Sequence, residues 1–322
     1  MKFPIFLACM AAGCTLAAAD FRGSELFDRN RIVPEGMGVN IHFFDHESGM
    51  DALKSLDMRW LRMDITWDRV EREKGVYDFS QVDKLMNDAK ARGLRVLAII
   101  DYANKLYEPE QKVISEAGRR AYSAYAAALV RRYAGHDVIW EIWNEPNNSG
   151  FWPGNDPGEY MELVKAAVPA MREADPQAVI LGPSAYRVAP EYMEACFKAG
   201  LFDYVDAVSF HPYRRHRPEE VLDDVAVLRE LMRKYRGPGR ELPPIVCSEW
   251  GFSATQHDGE NGQALRVPRA ALLSLMAGID LYIYYDLWND GGDATNSEHN
   301  YGLFTSPPFL MEKPAAVALK TV

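Results

Sequence analysis

The segment VIWEIWNEPN (138–147) is an apolar, β-forming run that ends in an amide and an acid, Asn144 and Glu145, and then Pro146. PPIVCSEWGF (243–252) repeats the theme with Glu249. A carboxylate at the end of a buried run is costly unless it is paired or hydrogen-bonded. Two such carboxylates facing one another suit double displacement at an acetal carbon: one gives a proton to the leaving oxygen while the other attacks the carbon. Glu141 lies one layer deeper than Glu145 and reads as a buried ion-pair partner of Arg62.

These residues must be positioned by strands. Runs of β character cover 36–44, 59–67, 95–100, 138–145, 178–186, 204–213, 243–252 and 281–288, with helical segments between them. Eight alternating units in 322 residues favour a single-domain (β/α)8 TIM barrel over an open doubly wound sheet. No glycine-rich phosphate loop follows the first strand, which argues against a nucleotide cofactor. In such a barrel, chemistry sits at the C-terminal ends of the strands. There the sequence places Asn40 and His42, Arg62 and Asp64, Asn144 and Glu145, His211 and Tyr213, Glu249, and Asp286 with Trp288.

Strand alternation assigns faces. Trp60, Arg62 and Asp64 share one inward face, as do Ala207, Ser209 and His211. With Glu249 inward, the same parity puts Cys247 inside the barrel. Pro146 is expected to hold Glu145 extended, with a local turn or bulge letting Asn144 and Glu145 both face the cleft. Among the helices, SQVDKLMNDAKARG (80–93) is read with Ser80 as its cap, Val82, Leu85, Met86 and Ala89 as its apolar face, and Gly93 as its end. A second helix is read over 114–135, a kink or break at Pro169, and a last helix in EKPAAVALKTV.

Composition sets the frame. The chain is 48% hydrophobic with a net charge of −10, which argues against a general nucleic-acid binder. No apolar run is long enough to span a bilayer. Lys2, a short apolar stretch and Ala17-Ala18-Ala19 read as an export signal over residues 1–19, leaving 20–322 as the barrel and placing it in the periplasm or outside the cell. A lipid anchor at Cys14 is the less favoured variant. Cys196 and Cys247 alone give no disulfide framework.

WNEPN (143–147) resembles the acid/base motif, and SEWGF (248–252) the nucleophile motif, of the clan of retaining glycoside hydrolases built on a (β/α)8 barrel with glutamates after strands four and seven. Arg62, HPY (211–213) and Trp288 match as well. GVYDFSQVDKLMNDAKARGL (75–94) and EHNYGLF (298–304) look most like its family 39-type and cellulase-like, family 5-type branches. Family 39-type enzymes often add a β-sandwich; no appended domain is expected here. The resemblance implies Glu145 as acid/base and Glu249 as nucleophile. It further implies Asn144 on the substrate 2-hydroxyl, Arg62 and Tyr213 holding Glu249 ionised, and Trp288 as the floor of a sugar subsite.

Around this core, His42, His211 and Trp152 are further candidates for contact with an oligo- or polysaccharide. Phe151 and Trp152 can stack on sugar or cap the loop, and Trp67 is equally open. Tyr282, Tyr284 and Tyr285 read as packing. His42, His211 and His257 with Asp64, Asp101 and Asp286 lack metal-ligand spacing, so neither metal nor cofactor is expected. Arg214, Arg215 and Arg217 read as exposed ion-pair partners rather than as a cationic rim for acidic sugars. The alternatives are a carbohydrate-binding barrel without catalysis and a transglycosylase using the same site.

Overall fold

The computed structural model describes residues 22–23, 35–213, 217–256 and 258–322. Eight parallel strands close a barrel in sequence order. They are β1 (Met37–Asn40), β2 (Trp60–Thr66), β3 (Arg95–Asp101), β4 (Val138–Ile142), β5 (Val179–Tyr186), β6 (Ala207–His211), β7 (Ile245–Trp250) and β8 (Leu281–Tyr284). Each falls within or beside a β-forming run of the sequence. Trp60, Leu97, Ile99, Ile139, Val179, Leu181, Ala207, Val246, Leu281 and Ile283 pack together as the barrel's inner core, one or two from nearly every strand. Their chain neighbours pack outward against the helices. Gly38 lets β1 lie close to β2 and β8: a Cβ there would lie 2.5 Å from the Trp60 Cβ and 2.6 Å from the Ile283 side chain.

The helices α1 (Glu47–Ser55), α2 (Trp67–Val70), α3 (Ser80–Ala91), α4 (Glu116–Arg132), α5 (Pro157–Ala174), α6 (Pro190–Lys198), α7 (Val221–Arg236), α8 (Gly259–Ala277) and α9 (Pro314–Leu319) lie outside the barrel. Buried tyrosines on α4 and α5 donate to carbonyls near the ends of the strands. Tyr125 donates to Ile65, Tyr122 to Ile100 at 2.5 Å and Tyr160 to Ile142 at 3.2 Å. These bonds tie β2, β3 and β4 to the helix layer.

Three expectations need correction. Ser80 is the first residue of α3 rather than its cap; its N–H is taken by the Asp78 carboxylate at 2.9 Å. Helix α5 continues through Pro169, because Val164, Ala167, Val168 and Met171 bury a continuous face on both sides of it. Cys247 faces the helices and Val246 faces the interior. A register shift between Cys247 and Trp250 breaks the parity, and a residue beyond the shift cannot be assigned a face by counting back.

Candidate active site

Strand β4 delivers its acid through two left-handed residues, Trp143 (φ 67°) and Glu145 (φ 46°). The extended Glu145 expected from Pro146 is therefore overturned; a turn, not an extended ending, carries the side chain into the mouth. Its backbone is held by the Glu145 N–H to the Ser184 carbonyl at 3.1 Å and by Asn148 N–H to the Glu145 carbonyl at 2.8 Å. On β7 the shift lets Ser248 bond the interior His211 while the next residue, Glu249, lines the cleft.

One carboxylate oxygen of Glu145, one of Glu249 and a ring nitrogen of His211 all lie within 4.8 Å of one another. Glu145 Oε1 meets His211 Nδ1 at 2.8 Å, and Oε2 accepts from Asn148 at 2.9 Å. His211 Nε2 lies 3.1 Å from the hydroxyls of both Ser184 and Ser248. Glu249 accepts from Tyr213 at 2.6 Å on Oε1 and from Arg62 at 2.7 Å on Oε2.

Arg62 is the hub. It is 1% exposed and also bonds Glu141 through Nε at 3.1 Å and Nη2 at 3.0 Å, Asn40 Oδ1 at 3.1 Å and Asn144 Oδ1 at 2.9 Å. Burial opposes its charge, but Glu141 and Glu249 outweigh that and raise its pKa further. Because guanidinium only donates, Asn144 must turn its oxygen toward Arg62, which leaves its NH2 for Tyr102 and the cleft. Burial, followed by the charge of Glu249, holds the Tyr213 phenol well above the usual tyrosine range, so it stays a donor. Burial and then Asp64 push fully buried Asp101 well above the usual carboxylate range.

The cleft encloses about 550 Å³. His42, Asp64, Phe151, Arg187 and Glu298 line it together with Arg62, Asn144, Glu145, Asn148, Tyr213 and Glu249. Phe151 stacks on Tyr102 with ring centres 5.7 Å apart, and Tyr186, Tyr213, Tyr301 and Tyr285 follow one another along the cleft at 5.3–6.3 Å. Tyr285 thus belongs to the cleft, whereas Tyr282 and Tyr284 are buried packing.

Two of the sequence candidates lie elsewhere. Trp288 does not line the cleft and stacks on Phe43 at 4.4 Å, over Gly49 of α1. Trp152 is fully buried behind the mouth, bonded to Glu159 at 3.2 Å and packed on Trp143. Trp67 is likewise buried, against Tyr107. Arg217 makes an exposed pair with Glu220 at 3.6 Å, while Arg214, Arg215 and His257 lie outside the described residues. Sequence reasoning missed Tyr102, Asn148, Tyr186, Tyr301 and, as a site residue, Glu298. The sequence signal for Asn148 is its place three residues after Glu145, where one turn of chain returns to it.

Comparison with known proteins places this geometry. The chain is 32% identical over 165 residues to a β-xylosidase of Caldicellulosiruptor saccharolyticus, covering 48% of this chain and 32% of that protein. It is 26% identical over 249 residues to a β-xylosidase of Geobacillus stearothermophilus, covering 67% and 49%. The chain thus spans a third to a half of the length of these curated relatives. A family 39 glycoside hydrolase from Bacteroides cellulosilyticus WH2 shares the fold with a TM-score of 0.80 at 23% identity, over 90% of this chain and 64% of that one. The family model for cellulase (glycosyl hydrolase family 5) matches residues 21–291, and with most of its length inside that match the chain belongs to this family of (β/α)8 barrel proteins.

Proposed function

We propose that the protein is a retaining glycosidase that cleaves O-glycosidic bonds by double displacement. The observation that carries this reading is the approach of the Glu145 and Glu249 carboxylates to within 4.8 Å. Retaining enzymes hold the pair about 5–5.5 Å apart, and inverting ones about 6.5–9.5 Å. Glu249 attacks the anomeric carbon as the bond to the leaving oxygen breaks and Glu145 gives that oxygen its proton. The glycosyl ester on Glu249 is then opened by water, whose proton returns to Glu145. Arg62 and Tyr213 hydrogen-bond Glu249 and aim it, and Asn144 offers its NH2 to the neighbouring sugar hydroxyl.

The names of the relatives make β-xylosides the first substrates to try. Export belongs to the same proposal and rests on the sequence of residues 1–19, which lie outside the described residues.

Product NMR early in the reaction should give the retained anomer. Glu145→Gln should slow glycosylation most for poor leaving groups, and Glu249→Ala should abolish turnover, with azide or formate restoring part of it. Near-normal hydrolysis by Glu249→Ala sinks the nucleophile assignment.

A further inference from the structure

Behind the nucleophile-side carboxylate lies a hydrogen-bond chain whose polarity is fully determined. Arg62 Nη1 contacts both Glu249 Oε2 and Asn40 Oδ1. Guanidinium has donors only, so Asn40 must present its oxygen to Arg62 and its NH2 to the other side. On that side Asn40 Nδ2 lies 2.9 Å from His42 Nε2. A donor faces Nε2, so Nε2 must carry a lone pair and the imidazole proton must sit on Nδ1. Nδ1 points at carboxylates: Asp290 at 3.0 Å and Asp286 at 3.7 Å. Every donor then meets an acceptor. The same proton leaves Nδ1 without a lone pair for a metal ion, although His42, Asp286 and Asp290 stand close enough to suit one.

We propose that His42, as its neutral Nδ1–H tautomer, is a positioning residue for Glu249, acting through Asn40 and Arg62. This rests on the reading of Glu249 as nucleophile. Protonated His42 would set Nε2–H against the Asn40 NH2. Turning the amide over would set NH2 against Arg62 instead. In the first case the Asn40–His42 bond that orients the amide is lost; in the second the guanidinium that aims Glu249 loses its Asn40 partner. The groups facing His42 from other elements work in the opposite sense. Asp290 and Asp286 follow β8, Asp64 ends β2 and Glu249 ends β7, and the Tyr285 ring lies 5.5 Å away. Burial disfavours the imidazolium, but Asp290 chiefly, with Asp64 and Glu249, raises the pKa of His42. Acidification therefore meets a histidine ready to accept a proton that the Asn40 contact cannot accommodate.

Two substitutions divide the ring's contacts. His42→Gln keeps a polar atom where Nε2 stands and can accept from Asn40; His42→Asn keeps one where Nδ1 stands and loses Asn40. With aryl β-glycosides whose glycosylation is rate-limiting, His42→Asn should lower kcat about two- to tenfold, the loss of one neutral hydrogen bond, with KM nearly unchanged. His42→Gln should retain most of kcat and stay active to lower pH than the wild type, because the protonation step is gone. Equal kcat losses in both variants, or a rise in KM alone, overturns the proposal. Histidine-selective nitrogen NMR of the wild type at about pH 8 is independent of catalysis and reads the tautomer directly. An Nε2–H signal for His42 defeats the proposal whatever Glu249 does. Retention of hydrolysis by Glu249→Ala would defeat the nucleophile reading and leave the tautomer result standing.

Discussion

The Tyr213 hydroxyl donates to Oε1 of Glu249 at 2.6 Å, on the oxygen that Arg62 leaves open. The anion is thus held from two sides by groups on β6 and β2. Tyr213→Phe keeps the ring and removes the donor. It should lower kcat/KM about 10- to 100-fold, the range for a hydrogen bond to a charged group, while the fold is unchanged by circular dichroism. A loss below about twofold would mean that Arg62 alone suffices to hold Glu249.

Glu141 tests the base of the hub. It is fully buried and its contacts are with Arg62. Glu141→Ala leaves a buried guanidinium short of its deepest counter-charge and should cost about 3–5 kcal/mol in denaturant unfolding. Glu141→Gln, which keeps an acceptor, should cost less. If both variants unfold like the wild type, the pair adds nothing to stability.

Asp101 gives a pH signature. Its folded pKa lies above the unfolded one, because burial and then Asp64 penalise its charge. The folded state therefore favours the protonated acid. Its contribution to stability is present below the unfolded carboxylate pKa and is lost as pH rises through the folded one. Asp101→Asn removes that loss while still offering a neutral hydrogen-bonding group. Its melting temperature should exceed the wild type's near pH 8 and approach it near about pH 4. A constant difference across that range would show that Asp101 does not titrate as described.

Trp288 separates packing from binding. Because it stacks on Phe43 outside the cleft lining, Trp288→Ala should reduce stability by about half of the ~3–5 kcal/mol of a fully buried tryptophan, with KM changed by less than about twofold. A large rise in KM with stability intact would return Trp288 to the sugar subsite.

Substrate charge follows from the lining. Four acids, Asp64, Glu145, Glu249 and Glu298, face the cleft against Arg187 and Arg62, and Arg62 is spent on Glu141 and Glu249. Neutral aryl glycosides should be turned over faster than the matching uronides, and the gap should narrow as salt screens the field. Preference for the uronide would point back to the Arg214–Arg215 segment.

The strands were legible because each is a bounded apolar run, and period-two alternation correctly turned Arg62 and His211 inward, where the structure joins them to Glu141 and Glu145. The same rule failed at Cys247, since a register shift changes parity without any mark in composition. It failed again at Glu145, whose left-handed φ answers to tertiary contacts with Ser184 and Asn148 rather than to Pro146 alone. Trp152 and Trp288 show why aromatic identity misleads: indoles are as useful behind a mouth as within it, and only packing decides. Tyr301 and Glu298 lie in EHNYGLF, a stretch legible as family-like, but only the folded loop shows that their side chains reach the cleft.

Ser248 and Glu249, neighbours on β7, both serve the mouth: Ser248 touches His211, and His211 touches Glu145. The two carboxylates are therefore braced to each other by a short strut of side chains that crosses from one strand to the other. Their gap is set like the jaws of a caliper, with Asn148 at the base of the following loop steadying the Glu145 jaw. The loops above supply Phe151, Tyr301 and Glu298, the parts that meet whatever sugar arrives. Variation among them can change the tool's grip while its cutting distance stays as it was.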